Sequence, residues 1–209
     1  MENIMNSLIL YRHKLSGHCH RVQLFLSILG LNFNIVEIDL ARGDQRTSVF
    51  LAKNHFGQVP VLADDDIVVS DSNAILVYLA KKYSPDSNWY PEDPLKVALV
   101  QQYLSIAAGP IANGPAAARL VKLFGARIDY VRATEIAGEV LPLIDAELEN
   151  RQWLVGDEPT IADLANYSYI AHSEEGGINL DAFPHLRNWI TNVEGLPGYV
   201  PMESTQAAA

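Results

Sequence analysis

The chain has 209 residues, 49% of them hydrophobic, and a formal net charge of −10; that length and apolar content suffice for one large or two small packed domains, and an acidic balance without clustered Lys and Arg argues against a nucleic-acid partner. A single cysteine excludes an internal disulfide, and no apolar run approaches the roughly 20 residues that span a bilayer, so no membrane partner is expected. The first residues lack an export-signal pattern, which makes a reducing, cytoplasmic setting the expectation.

In chain order, the apolar run Ser7 to Tyr11 reads as a strand, and Val22, Leu24, Phe25, Ile28 and Leu29 then recur at helical spacing. Between them stands "LSGHCHRV", Leu15 to Val22. Redox proteins of the thioredoxin type carry C-x-x-C at such a junction, because the positive end of a helix stabilises a thiolate. Here the spacing survives as Ser16-Gly17-His18-Cys19, with a hydroxyl in the first position. Phe33 to Leu40, rich in β-branched and apolar residues before the Gly43-Asp44 break, reads as a second strand and completes a βαβ unit. Thr47 to Gly57 reads as a short helix closed by a glycine. "VPVLADDDIVVSDS" places two apolar runs around an acidic turn, Asp64 to Asp66, which predicts a β-hairpin, and a helix follows from Ser72 to Lys82. This order predicts a small four-stranded α/β domain.

"YSPDSNWYPEDPLKV" concentrates Pro, Ser, Asp and Asn between two periodic segments, as a linker between independently packed units does. Beyond it, from Lys96 to Glu149 and again in "PTIADLANYSYIAHSEE" and "FPHLRNWITNV", apolar positions recur at helical spacing, which predicts an all-α domain. "GPIANGP", Gly109 to Pro115, either kinks a long helix or splits it.

Two segments carry alternatives. A proline at the strand entry in "GQVPVL", Gly57 to Leu62, removes one ladder donor. Either Val59-Pro60 is cis, turning the Val59 amide and carbonyl outward to pair with an extended peptide, or Pro60 simply opens an edge strand. In "SDSNAI", Asp71 and Ser72 are either ordinary helix caps or a site where exposed amides and the Ser72 hydroxyl take a carboxylate while Asp71 takes an ammonium, the two charges of an amino-acid moiety. Cys19, one turn into its helix, reads more readily as a buried filler than as a nucleophile. His13, His18 and His20 are close in sequence, but a helix beginning among them points them apart and no fourth ligand accompanies them, so no metal is expected. His18 is placed at the pocket mouth beside Ser16.

Ser16 in the nucleophile position, then Gln58-Val59-Pro60, then Asp71-Ser72, then an all-α half: in this order the chain resembles the cytosolic glutathione transferases, of the serine type found among bacterial, theta-like and phi-like members. The resemblance covers Leu8 to about Pro201 and rests most on "FGQVPVL" and "DSNAI", with "PTIADL" matching a capping-box segment in which Thr160 and Asp163 satisfy each other's helix-start amides. It implies an N-terminal thioredoxin-like domain of order βαβ-α-ββα over 1–84, a linker over 85–93, an all-helical electrophile-binding domain over 94–201 and a flexible tail over 202–209.

The resemblance further implies glutathione as co-substrate and a detoxification-type conjugation in the cytoplasm. Ser16 would hydrogen-bond the glutathione thiolate, Val59, beside Pro60, would clamp the cysteinyl unit through its backbone, and Gln58, Asp71 and Ser72 would hold the γ-glutamyl end. Gln45 and Arg46 fall where relatives place His and Lys against the glycyl carboxylate; Gln45 departs from that pattern, leaving Arg46 as the charged contact, and both also read as a solvated helix start. Leu15, Tyr103 and Ala107 are the candidates for the hydrophobic electrophile pocket, with core packing as their alternative. A homodimer is implied, the helical domain of one subunit facing the α/β domain of the other. Two rival functions share these features: a glutathione-dependent thiol–disulfide reductase using Cys19, and a non-enzymatic glutathione-binding or regulatory protein.

Overall fold

Strand β1 (Leu8–Arg12) runs parallel to β2 (Phe33–Glu37), while β3 (Val61–Asp64) is antiparallel to β1 and to β4 (Ile67–Ser70), giving the sheet order β2-β1-β3-β4 in a computed structural model that describes residues 8–205. Ser7, the predicted start of the first strand, lies outside the described residues. Helices α1 (Gly17–Ile28), α2 (Ser48–Leu51) and α3 (Ser72–Tyr83) complete this half. The second half is all-α: α4 (Pro94–Ile106), α5 (Ala117–Phe124), α6 (Tyr130–Glu147), α7 (Ile161–Ala171) and α8 (Pro184–Glu194). The fold is a thioredoxin-like domain followed by a helical one, and no helix among the described residues is long and apolar enough to cross a membrane.

Local chemistry shortens two predicted elements. The strand expected to reach Leu40 ends at Glu37, because the Asp39 carboxylate accepts from the amides of Ala41 and Arg42 and bends the chain. The helix expected over 47–57 is only the single turn of α2. Beyond it the buried Asn54 takes over, donating through Nδ2 to the Gln58 carbonyl at 2.8 Å and accepting from the Phe56 amide at 3.1 Å, and Gly57 supplies the left-handed φ of 62° that closes the loop. Asp64 is not part of the hairpin turn but the last residue of β3; its carboxylate points inward to the hydroxyls of Tyr78 and Tyr83, each at 2.7 Å, and to Lys82 Nζ at 2.6 Å.

The Gly/Pro-rich segment does not split its helix. α4 passes through a π-helical stretch, Ala107–Ala116, and on into α5 without a break. Pro110 and Pro115 lack the N–H that α-helical turns would use, and wider turns accommodate them. Gly114 lets α6 come close, since a Cβ there would lie 3.0 Å from the Ala137 amide nitrogen.

The two halves are not independently packed. One core runs through both, joining Leu10, Val22 and Phe25 to Leu76, Val100, Ile161 and Ile170, and every residue of α7 except Ala171 is buried. The capping box of α7 is present, and Asp163 extends it by accepting also from the Leu154 amide and from Trp189 Nε1, both at 2.9 Å. Burial raises the pKa of this carboxyl while its hydrogen bonds pull the other way. The tail expected to hang loose from 202 begins as packed chain: Met202 is buried, Glu203 pairs with Lys14 at 3.2 Å, and the Thr205 amide donates to Glu175. Residues 206–209 lie outside the described residues.

Candidate functional site

Sheet register gathers the predicted residues. Tyr11 of β1 pairs with Val61 of β3, which pairs with Ser70 of β4, so three segments meet at one end of the sheet. From Tyr11 the chain runs on into the loop carrying Ser16; Val59-Pro60 lead into Val61; and Asp71-Ser72 follow Ser70. β2, parallel to β1, also exits at this end, and the loop after it carries Gln45 and Arg46.

Ser16 is the N-cap of α1, with extended backbone (φ −89°, ψ 118°), and its Oγ accepts from the Cys19 amide at 3.3 Å. A hydroxyl that accepts there keeps its own proton for another acceptor. It stands half-buried at the positive end of a twelve-residue helix. Cys19 faces inward, 1% exposed, with the His13 amide donating to its Sγ at 3.4 Å, and burial pushes its thiol up to about 11. The three nearby histidines have separate partners. His13 Nδ1 accepts from the Leu15 amide, His18 Nδ1 lies 3.4 Å from Ser72 Oγ, and His20 is held between Ser168 Oγ and the Val200 carbonyl, each at 2.8 Å. Burial lowers His18 to about 3 and His20 to about 4, so both are neutral at pH 7. Among the described residues no group of three or more His, Cys, Asp or Glu is placed to hold a metal ion.

The Val59-Pro60 bond is cis. Gln58 is exposed, its carbonyl occupied by Asn54, and Pro60 is buried. Arg46 leans on this loop, its Nη1 3.4 Å from the Phe56 carbonyl and close enough to Gly57 that a Cβ there would lie 2.8 Å away. Gln45 turns back to the Leu40 carbonyl at 3.4 Å. Both belong to a single 3₁₀ turn, Asp44–Arg46, rather than to the start of α2.

Asp71 caps α3, its Oδ1 accepting from the amides of Asn73 and Ala74 at 2.9 Å, and does so at φ 74°, a conformation that non-glycine residues adopt at a cost. Ser72 is 4% exposed and accepts from Arg21 Nη1 at 3.3 Å. Two of the three expected pocket residues are instead core. Ala107 is 0% exposed and Tyr103 6%, because the π-helical stretch and α4 turn them onto α7, where the Tyr103 carbonyl accepts from Asn166. Leu15 remains half-buried beside Ser16.

The sequence pattern described as glutathione S-transferase, N-terminal domain, matches residues 6–81, and that described as glutathione S-transferase, C-terminal domain, matches residues 104–197. This chain belongs to the glutathione S-transferase family. It is 32% identical to glutathione S-transferase 3 of Zea mays over 207 residues, covering 93% of this chain and 92% of that one. Its structure is similar to a glutathione S-transferase from Pseudomonas fluorescens (TM-score 0.89, 31% identity, 94% of this chain and 99% of the other). It is similar also to a glutathione transferase homologue from Drosophila mojavensis with bound glutathione (TM-score 0.83, 29% identity, 92% and 90%).

Three residues at the site of this transferase escape a reading of local pattern. Arg21 lies wholly buried on α1 behind Ser72. Tyr169 of α7 is wedged on the start of α1: a Cβ at Gly17 would lie 2.8 Å from its ring, and the His18 ring meets it edge-on at 5.0 Å. Arg119 of α5 donates to the Leu15 carbonyl. Only Gly17 gives a hint in sequence, as a residue type that permits close approach.

Proposed function

We propose that this glutathione S-transferase is of the serine type: it holds glutathione on the thioredoxin-like domain and activates it as thiolate at Ser16 for attack on an electrophilic small molecule. The observation that carries the reading is the place of Ser16, whose Oγ accepts from the Cys19 amide at a helix N-terminus; in this reading its own proton goes to the glutathione sulfur anion. Lowering a thiol from about 8.5 to about 6.5 requires roughly 2.7 kcal/mol in favour of the thiolate. One hydrogen bond to a charged group contributes about 1.5–3 kcal/mol and a helix end about 0.3–1 kcal/mol, which together suffice.

The remaining contacts follow the same reading. Val59 offers its backbone to the cysteinyl unit, Gln58, Asp71 and Ser72 meet the γ-glutamyl end, and Arg46, with Gln45, meets the glycyl carboxylate. Leu15 borders the electrophile. The setting is cytoplasmic and no metal takes part. Exposed apolar side chains on both domains, Val49 (73%) and Phe56 (64%) on one and Val131 (65%) and Leu143 (67%) on the other, support a homodimer. A reductase through Cys19 is disfavoured by the burial that raises its thiol to about 11. The test is a panel of aryl halides and disulfides, with and without glutathione, combined with titration of thiolate absorbance in the binary complex. Glutathione-dependent conjugation and a depressed thiol pKa support the reading, and glutathione bound with an ordinary thiol pKa refutes it.

A further inference from the structure

Arg21 is 0% exposed, and its Nη1 donates to Ser72 Oγ at 3.3 Å and to Asn73 Oδ1 at 3.0 Å. Its Nε and Nη2 have no hydrogen-bond partner among the described residues. One face of the guanidinium lies against Tyr169, with Cζ 5.9 Å from the ring centroid. Burial lowers its pKa to about 10, which leaves it charged at neutral pH. The carboxylate that acts on it is that of Asp71, whose Oδ1 is already engaged by the amides of Asn73 and Ala74.

A lone buried cation weakens a fold unless an opposite charge meets it. The location compounds the cost, since Ser72 and Asn73 are the first residues of α3, where the helix dipole is already positive. Two positive features thus coincide at a hydroxyl. We propose that Arg21 is a positioning residue for the α-carboxylate of the γ-glutamyl end of glutathione: held behind Ser72, it supplies the charge that this carboxylate meets at the start of α3. It does not touch the ligand. Its bond to Ser72 Oγ occupies the hydroxyl's acceptor side and leaves the Ser72 proton to the carboxylate, with neutral His18 Nδ1, 3.4 Å from Ser72 Oγ, as the alternative acceptor in the free protein. The inference rests on the reading that Ser72 meets the γ-glutamyl end, and it adds the source of the charge and a consequence: the free protein carries Arg21 at a cost in stability that the ligand offsets.

The experiment compares the parent with Arg21→Met, Arg21→Gln, which keeps a donor for Ser72 without the charge, and Arg21→Lys, which keeps the charge. Each is melted without ligand and titrated calorimetrically with glutathione and with γ-aminobutyryl-cysteinyl-glycine, the same tripeptide lacking the α-carboxylate. The parent should prefer glutathione by about tenfold or more, the range of a hydrogen bond to a charged group. Arg21→Met and Arg21→Gln should melt at or above the parent's temperature, bind the analogue as the parent does, and lose most of the preference, while Arg21→Lys keeps most of it. Uncharged variants that retain the parent's preference overturn the proposal, as do uncharged variants that melt lower or fail to fold, which would make Arg21 a packing element. A parent that binds neither compound instead refutes the reading of the site, and a parent that binds both equally overturns carboxylate recognition at Ser72 altogether.

Discussion

The Arg119 guanidinium donates through Nη1 to the Leu15 carbonyl at 2.8 Å, so an arginine of the helical domain holds the residue directly before Ser16. The same guanidinium pairs through Nε with Glu175, which also accepts from the Thr205 amide at 3.1 Å. The site loop, the helical domain and the tail therefore converge on one carboxylate. Arg119 is 1% and Glu175 12% exposed at the side chain, and removing one member of such a buried pair leaves the other uncompensated, at about 3–5 kcal/mol. Glu175→Gln is expected to lower the unfolding free energy by that amount in urea denaturation at neutral pH. A loss below about 1 kcal/mol would rank the pair with ordinary surface bridges.

Ser16→Ala should keep much of the glutathione affinity, which rests on Val59, Asp71 and Ser72. It should raise the bound thiol pKa by about one to two units, equivalent to roughly 1.4–2.7 kcal/mol. Thiolate absorbance titrated against pH reads this separately from binding. Because Ser16 also caps α1, the free variant should lose about 0.5–2 kcal/mol of stability. An unchanged thiol pKa would remove Ser16 from activation.

Ser72→Ala should weaken glutathione binding by about 1–3 kcal/mol, the cost of losing a hydrogen bond to a charged group. Isothermal titration decides the matter. Unaltered affinity would reduce Asp71-Ser72 to a helix cap, the role that Asp71 Oδ1 already performs for Asn73 and Ala74.

Cys19 should be silent. With its thiol raised to about 11, only about a thousandth is thiolate at pH 8, so iodoacetamide should fail to label the native protein and should label it readily in denaturant. Cys19→Ser should leave conjugation of an aryl halide within a fewfold of the parent. Rapid native labelling, or collapse of conjugation in a folded variant, would revive the reductase.

Stability should fall on mild acidification. His18 and His20 have folded pKa values lowered to about 3 and about 4 against 6.5 as the ordinary value, so the unfolded chain binds more protons between these limits. Stability contributed by keeping them neutral is present above pH 6.5 and is lost as pH drops toward 4, each histidine adding up to about 1.4 kcal/mol per pH unit to the slope. Denaturation curves at pH 7.5, 6 and 5 measure it, and His20→Gln should flatten the dependence. A parent equally stable at pH 5 and 7.5 would contradict buried neutral histidines.

Features coded within a few residues were legible in the chain. The Asp71 cap, the Thr160–Asp163 box and the existence of the β3–β4 hairpin are local patterns, although the turn expected over Asp64–Asp66 is only Asp65-Asp66, and strand–helix order fixed which domain comes first. The helix that shrank to Ser48–Leu51 failed that test because the Asn54 side chain competes with the helical backbone, a choice helical periodicity does not register. What only the tertiary structure decided is which distant side chains share a site. Arg21 reaches Ser72 across 51 positions, Arg119 reaches Leu15 across 104 and His20 reaches Ser168 across 148, contacts with no short-range signature. Tyr103 and Ala107 went to the core for the same reason. A helix pattern marks an apolar face, but whether that face meets another helix or an open cleft is settled by the partner packed against it, here α7.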